Sequence, residues 1–248
     1  MAEKIKNKEE QLQEQNLSTP ENTEGFEILE NPEALQEKLD QTQEFFTKHK
    51  SLITGVLTVV VLIIGGLFFY NYYVDAQDQE AQVQLFPAVF YFEKDSLSKA
   101  LNGDGNFTDG FAATANDYSL TKAGNLASFY AGVSYLKQGQ YDNAIQSLKD
   151  FSSDDYLIQA RAYCLLGDAY SEKNELDNAI SYYEKASEYK PNPQFTPTYL
   201  MKLGIACEAK GDKEKAKKAY RKIITDFKKS SELNDAKKAL AKLGEIVD

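Results

Sequence analysis

Histidine is almost missing from this chain of 248 residues, in which His49 is the only one. A catalytic triad with a histidine base, or a metal site with several histidine ligands, therefore has no residues from which to form. The sequence also contains no glycine-rich phosphate loop and no Cys-x-x-Cys pair. These absences argue against an enzyme, and we predict no catalytic residue, no cofactor and no metal site.

The chain also has no excess of basic residues. The formal net charge is −10, and the first 50 residues carry 6 lysines against 12 aspartates and glutamates. Proteins that bind nucleic acid concentrate lysine and arginine on one surface. We therefore expect no nucleic-acid partner.

One long apolar stretch interrupts this otherwise polar chain. Between Lys50 and Asp75 there are 24 residues without a formal charge, and a helix of that length spans about 36 Å, more than the hydrocarbon core of a bilayer at about 30 Å. Its apolar side chains surround the helix axis instead of forming one stripe. A cleaved signal peptide is the alternative, but its apolar region is shorter and lies nearer the N-terminus. We predict a transmembrane helix at residues 51–73.

The flanks of this stretch predict its orientation. Lysines precede it and acidic residues follow it, and the positive-inside rule places the lysine-bearing side in the cytoplasm. The polar composition of residues 1–30 predicts a disordered cytoplasmic tail. Residues 31–50 are expected to form a short juxtamembrane helix, which either lies on the membrane or only leads into the span. The residues expected at the membrane interface are Lys48, Lys50, Tyr70, Tyr72 and Tyr73.

Three later segments of the chain repeat one pattern. They cover residues 125–151, 160–186 and 197–223, with glycine at the eighth place, a turn residue at the fifteenth and alanine at the twentieth. Small residues at the eighth and twentieth places allow two antiparallel helices to approach closely, and larger residues at the twenty-fourth place fill the space around them. The residues at these four places are Gly132, Gly167 and Gly204; Gly139, Asn174 and Gly211; Ala144, Ala179 and Ala216; and Leu148, Tyr183 and Tyr220.

This pattern resembles the tetratricopeptide repeat, a helix-turn-helix unit of about 34 residues. The middle segment matches that family best, through Leu166, Gly167, Ala179 and Pro191. The resemblance implies an all-α fold, in which a single N-terminal transmembrane helix is followed by an α-solenoid of about three repeats at residues 125–230.

The segments on either side of the repeats complete the expected domain organisation. Repeat arrays need a terminal helix with one polar face, and the apolar stripe of residues 231–248 predicts such a capping helix. Residues 74–124 are expected to form a linker helix and a degenerate half repeat, with Pro87 as a kink or as the start of a new helix.

The resemblance also implies a concave groove lined by the first helix of each repeat. The apolar side chains at the matching places, among them Phe129, Val133, Met201 and Ile205, suit a hydrophobic segment or a partner helix. Apart from Arg161, the basic and amide residues of a clamp for a terminal carboxylate are absent. The residues of the first repeat have an alternative role, which is to pack on the linker helix or the half repeat. The expected groove residues are Phe129, Val133, Leu136, Arg161, Asp168, Met201 and Ile205.

Cysteine is scarce, with Cys164 and Cys207 as the only two. A pair of cysteines in an oxidising compartment invites a disulfide. The repeat register, however, puts one on the groove side and the other in the core of the next repeat, displaced along the helix axis. That placement is unsuited to bonding distance, so we predict two free thiols.

The single span, the aromatic and basic lead-in at residues 44–50 and the short exported array together resemble the YfgM family of ancillary subunits of the bacterial SecYEG translocon. The resemblance covers about residues 40–248 and implies a bacterial inner-membrane protein with its repeats in the periplasm. The implied partners are SecYEG, a PpiD-like membrane-anchored chaperone, translocating polypeptides and the lipid bilayer. A scaffold for peptidoglycan or outer-membrane assembly is the alternative, and an enzyme within residues 76–124 is disfavoured by its sparse polar clusters.

Overall fold

A computed structural model describes residues 32–245, so the disordered tail predicted for residues 1–30 and the last three residues of the predicted cap lie outside the described part. Every element of regular secondary structure between residues 32 and 245 is an α-helix, which confirms the all-α class. The chain divides into two compact units, Met1–Phe68 and Phe69–Asp248.

The described helices are numbered here in chain order. They are α1 (Pro32–Lys48), α2 (Lys50–Glu93), α3 (Leu97–Asn102), α4 (Gly110–Asp117), α5 (Lys122–Lys137), α6 (Tyr141–Asp150), α7 (Tyr156–Glu172), α8 (Leu176–Glu188), α9 (Thr196–Lys210), α10 (Lys213–Asp226) and α11 (Leu233–Lys242).

The apolar stretch lies in α2, a helix of 44 residues. Among residues 32–245, α2 is the one helix long and apolar enough to cross a membrane, judged by length and composition. The helix continues well beyond residue 73 and passes through Pro87 without a break. Pro87 has no N–H to offer the carbonyl of Val83 one turn earlier.

The last turns of α2 form the first layer of the second unit. Ala81, Leu85 and Ala88 are buried and share a hydrophobic cluster with residues of α3, α4 and α5. The side chain of Asp78 accepts a hydrogen bond of 2.8 Å from the backbone N–H of Ala123. This bond satisfies one of the free N–H groups at the start of α5. The helix predicted for the linker therefore supports the first repeat directly.

The loop between α3 and α4 is ordered around one carboxylate. The Oδ1 atom of Asp104 accepts hydrogen bonds from the backbone N–H groups of Asn106, Phe107 and Thr108, at 3.0, 2.7 and 3.2 Å. Its Oδ2 atom accepts a hydrogen bond of 2.7 Å from the hydroxyl of Tyr91 on α2. These four bonds lower the pKa of Asp104, and the largest contribution is that of the Tyr91 hydroxyl.

The next six helices form three hairpins, α5 with α6, α7 with α8, and α9 with α10. In the middle hairpin, a Cβ atom added to Gly167 would lie 2.6 Å from Cδ1 of Tyr183. Gly132 faces Leu148 and Gly204 faces Tyr220 in the same way. The predicted contact between the eighth and twenty-fourth places is therefore present in all three repeats, and it requires glycine because a methyl group has no room.

The turns inside the three hairpins also share one geometry. Gly139, Asn174 and Gly211, the residues at the fifteenth place, have φ angles of 72°, 59° and 89°. In each case the next residue donates its backbone N–H, at 2.9 Å, to a carbonyl five positions earlier in the first helix. This pattern ends the helix and turns the chain, and it favours residues that tolerate a left-handed conformation.

Consecutive repeats are joined by an ion pair that recurs at equivalent places. Lys173 at the end of α7 contacts Asp142 at the start of α6 at 2.6 Å, and Lys210 at the end of α9 contacts Asp177 at the start of α8. Each lysine stands at the fourteenth place of its repeat and each aspartate at the eighteenth place of the preceding repeat. Both aspartates are highly exposed, so each pair contributes little stability.

Helix α11 covers the end of the array. Ala236 and Leu240 are completely buried on its inner side. Glu245, just after the helix, forms an ion pair with Arg221 on α10. The helix covers Leu233–Lys242, a shorter range than the cap predicted for residues 231–248.

Candidate functional site

A cleft of about 390 Å³ opens between the first helices of the second and third repeats, α7 and α9. Its walls are mainly apolar, and they surround three charged side chains, those of Arg161, Asp168 and Lys202. A mostly apolar concavity with a few polar groups is the usual form of a binding site. The apolar and small polar lining residues are Leu157, Ile158, Cys164, Leu165, Phe195, Thr198 and Tyr199.

Asp168 is the centre of the polar network in this cleft. The Nζ atom of Lys202 donates to both carboxylate oxygens, at 2.6 and 2.7 Å, and the hydroxyl of Tyr183 donates to Oδ1 at 2.8 Å. The side chain of Asp168 is only 23% exposed and that of Lys202 37%. A half-buried carboxylate with two donors is held in one position, because losing either donor would leave it poorly solvated.

Burial controls the titration of the groups around this network. It raises the pKa of the Cys164 thiol to about 12, and the nearby Asp168 carboxylate acts in the same direction. It also raises the pKa of Tyr199 to about 12 and, with the charge of Asp168, that of Tyr183. Desolvation alone would lower the pKa of Lys202, but Cys164 and the hydrogen-bonded carboxylate of Asp168 together raise it above its ordinary value. At neutral pH Cys164 is therefore a neutral thiol and Lys202 a cation.

Arg161 differs from Lys202 in having no carboxylate partner among the described residues. Its side chain lines the cleft from α7 and is exposed. Since the charges of Asp168 and Lys202 balance each other, the positive charge of Arg161 is left over. The cleft is therefore slightly basic on a protein whose net charge is −10.

The structure divides the groove residues expected from the sequence. Arg161 and Asp168 lie in the cleft, whereas Met201 and Ile205 on α9 are not part of its lining. Met201 packs partly against the core. Ile205 is 56% exposed, so its side chain remains available on the surface outside the cleft.

The first repeat contributes less surface than expected. Phe129 and Val133 are 9% and 8% exposed and belong to the main core. The ring of Phe129 lies 5.1 Å from that of Phe151. Leu136 is half-buried against the same core. The expectation that Phe129 and Val133 face an open groove is corrected, because both side chains are buried in the main core. The alternative from the sequence was packing on the linker helix or the half repeat, whereas Phe151 lies just after α6.

Several lining residues were not expected from the sequence. Lys202 and Leu165 both stand at the sixth place of their repeats, which is not one of the places that line the groove in the tetratricopeptide repeat family. Phe195 lies just before the first residue of α9. One signal was present, because an acidic residue at the ninth place of the second repeat is followed by a lysine at the sixth place of the third. The ninth place of one repeat and the sixth place of the next meet at the interface between the two repeats.

The residues predicted for the membrane interface lie at the helix ends and along α2. Lys48 is the last residue of α1 and Lys50 the first residue of α2. Tyr70, Tyr72 and Tyr73 are 50%, 76% and 51% exposed. Their placement at a membrane stays a prediction. Among residues 32–245, no group of three or more His, Cys, Asp and Glu side chains is arranged to hold a metal ion.

Paired helices, the recurring glycine contacts and the left-handed turns define an array of tetratricopeptide repeats. Comparison with family models agrees, since tetratricopeptide repeat models match residues 126–154, 160–193 and 199–230. This repeat is a protein-interaction fold. The chain thus carries a protein-interaction scaffold.

Two relatives extend the similarity beyond single repeats. Over 107 residues, the chain is 32% identical to uncharacterized protein ycf37 of Guillardia theta, a match that covers 42% of this chain and 58% of that protein. Over 194 residues, it is 26% identical to uncharacterized protein ycf37 of Pyropia yezoensis, covering 77% of this chain and 94% of that protein. The chain therefore spans less than two thirds of the first relative and nearly all of the second.

Proposed function

We propose that this chain is a single-span protein of the bacterial inner membrane whose repeat array binds protein partners or emerging chains as an accessory subunit of the SecYEG translocon. The observation that carries the binding role is the cleft between α7 and α9, with apolar walls and an arginine that has no carboxylate partner among the described residues. Such a cleft suits an extended or helical segment of another protein.

The membrane and translocon parts of the proposal have separate support. Helix α2 has the length and composition of a span, Lys48 and Lys50 precede it, and Asp75 and Asp78 follow it. These flanks favour a cytoplasmic N-terminus and repeats in the periplasm. The likeness in architecture to the YfgM family adds SecYEG, a PpiD-like chaperone and translocating polypeptides as partners.

Orientation is tested by labelling single cysteines, because Cys164 and Cys207 are both buried. We expect Phe107→Cys, at a position 72% exposed, to react with a membrane-impermeant maleimide in intact spheroplasts. Gln41→Cys on α1 is expected to react only after permeabilisation. The reverse pattern would contradict the proposed orientation, and equal labelling of both would contradict a membrane span between them.

The partner is tested by purifying the tagged protein in mild detergent after crosslinking. SecY, SecE or SecG in the product would support the translocon role, while peptidoglycan or outer-membrane assembly factors would support the alternative scaffold. We expect Leu157→Ser with Phe195→Ser, which removes two partly exposed walls of the cleft, to lower recovery at least tenfold. Ile205→Ser is the matched control, because Ile205 is exposed outside the cleft. Equal recovery from both variants would overturn the cleft as the binding site.

A further inference from the structure

A second apolar surface lies on α2, from the end of the predicted span onwards. Val83 and Phe86 are 68% and 77% exposed, and Phe90, although Lys94 approaches its ring at 4.0 Å, is 48% exposed. The opposite side of the same helix carries Ala81, Leu85 and Ala88, which are buried in the core. Helix α2 therefore has two apolar sides, and the helices described between residues 32 and 245 cover only one of them.

The exposed side follows a regular spacing. Successive residues are separated alternately by four and three positions, which is the heptad repeat of two helices that pack along a common seam. All six members are exposed, and four of them are aromatic or β-branched. The six residues, called the outer face of α2 from here on, are Tyr72, Ala76, Gln79, Val83, Phe86 and Phe90.

We propose that the outer face of α2 packs against the outer face of a second copy of this chain, so that the protein is a parallel homodimer. The parallel arrangement rests on the proposed membrane anchor, since two copies that enter the bilayer from the same side run in the same direction. In a parallel pair related by a twofold axis, each residue meets its own counterpart. Because the outer face keeps one heptad register, its residues stay in contact with the same residues of the second copy along the whole seam.

The outer face is large enough for such a dimer. A fully buried aromatic side chain covers roughly 150–250 Å², and Tyr72, Phe86 and Phe90 are 76%, 77% and 48% exposed. The three rings alone therefore offer about 300–500 Å² in each copy. Two copies would bury on the order of 1,000 Å² once Val83 and the seam edges are added, the size above which specific interfaces begin. Membrane anchoring further raises the local concentration of the partner.

The charges along α2 are compatible with a second copy. The outer face itself carries no formal charge, and the amide of Gln79 both donates and accepts hydrogen bonds, so it can pair with its own counterpart. Asp75 and Glu80 flank the seam, and the two copies would bring these acidic groups near each other. Both are exposed, so this repulsion opposes the dimer in a solvated environment, where salt weakens it. We therefore expect dimerisation to strengthen as salt concentration rises.

Disulfide crosslinking of the full-length chain in its membrane tests the proposal. Gln79→Cys places a thiol on the outer face, and Gln77→Cys places the same substitution two residues away, on the other side of the helix. Because both native cysteines are buried, the wild-type chain serves as the control for background crosslinking. After mild oxidation at 0.15 M salt, we expect Gln79→Cys to give a product of about twice 27.9 kDa, at least tenfold more than Gln77→Cys.

Three results would overturn the proposal. One is equal crosslinking at both positions, another is no product from Gln79→Cys although its thiol reacts with a maleimide, and the third is a product with a different protein. A second substitution tests another position of the outer face. In the Gln79→Cys chain, adding Phe86→Glu is expected to lower the amount of crosslinked dimer at least tenfold. Leu157→Ser, in the cleft, should leave it unchanged. The labelling test of orientation remains independent, so a failed anchor and a failed dimer are distinguishable.

Discussion

Lys202 on α9 holds Asp168 on α7 through both carboxylate oxygens, and this contact joins two consecutive repeats at the floor of the cleft. Asp168→Asn would leave Lys202 without its counter-charge but keep an acceptor for the Tyr183 hydroxyl. Because both side chains are partly exposed, we expect each of Asp168→Asn and Lys202→Met to cost about 1 kcal/mol of unfolding free energy.

The double variant separates the pair from its surroundings. In a double-mutant cycle followed by urea unfolding, the coupling energy is expected to be about 0.5–2 kcal/mol. Additive single effects would show that the two charges do not depend on each other in the folded protein.

The close contact of Gly167 with Tyr183 makes a second prediction. Gly167→Ala should gain about 1 kcal/mol in helix propensity but lose about 1–3 kcal/mol through overpacking, because the new methyl group would lie 2.6 Å from the ring. We expect a net loss of stability, seen as a lower midpoint in thermal unfolding followed by circular dichroism. A Gly167→Ala variant as stable as wild type would contradict the contact.

The cysteines give a prediction about reactivity. Both are free and buried, and burial raises the pKa of Cys164 to about 12 and that of Cys207 to about 11. Since the thiolate is the reactive form, we expect a disulfide reagent at pH 8 to modify the native chain at least a hundredfold more slowly than the denatured chain. When the protein is denatured without reductant, we expect two reactive thiols per chain. A count of zero would instead reveal a disulfide.

The Asp104 loop predicts a dependence on acid. The pKa of Asp104 in the folded protein lies below its ordinary value of 3.8. A carboxyl group of this kind stabilises the fold above its ordinary pKa and loses that contribution as the pH falls towards its folded pKa. We expect the difference in melting temperature between wild type and Asp104→Asn to be largest above about pH 5 and to shrink at lower pH. A difference that is constant with pH would show that the charge is not involved.

The sequence predicted the repeats well because their physical cause is local. Glycine at one place and a large residue sixteen positions later belong to the same hairpin, and the left-handed turn at Asn174 lies between them. The cleft was harder to predict, since Lys202 reaches Asp168 across 34 residues and its place in the repeat carries no family signature. The prediction that Phe129 and Val133 line an open groove was wrong. In the sequence, an apolar residue at such a position looks the same whether it faces a partner or packs in the core.

The recurring ion pairs between Lys173 and Asp142 and between Lys210 and Asp177 give the array a direction. The acid always belongs to the earlier repeat and the lysine to the later one, so the two ends of a repeat are not interchangeable. A duplicated copy of the middle repeat, which carries both Lys173 and Asp177, would find a partner on each side. The array could therefore be lengthened by inserting that repeat, whereas a copy of the first repeat, which has Gln138 at the fourteenth place, would lack the lysine for one ion pair.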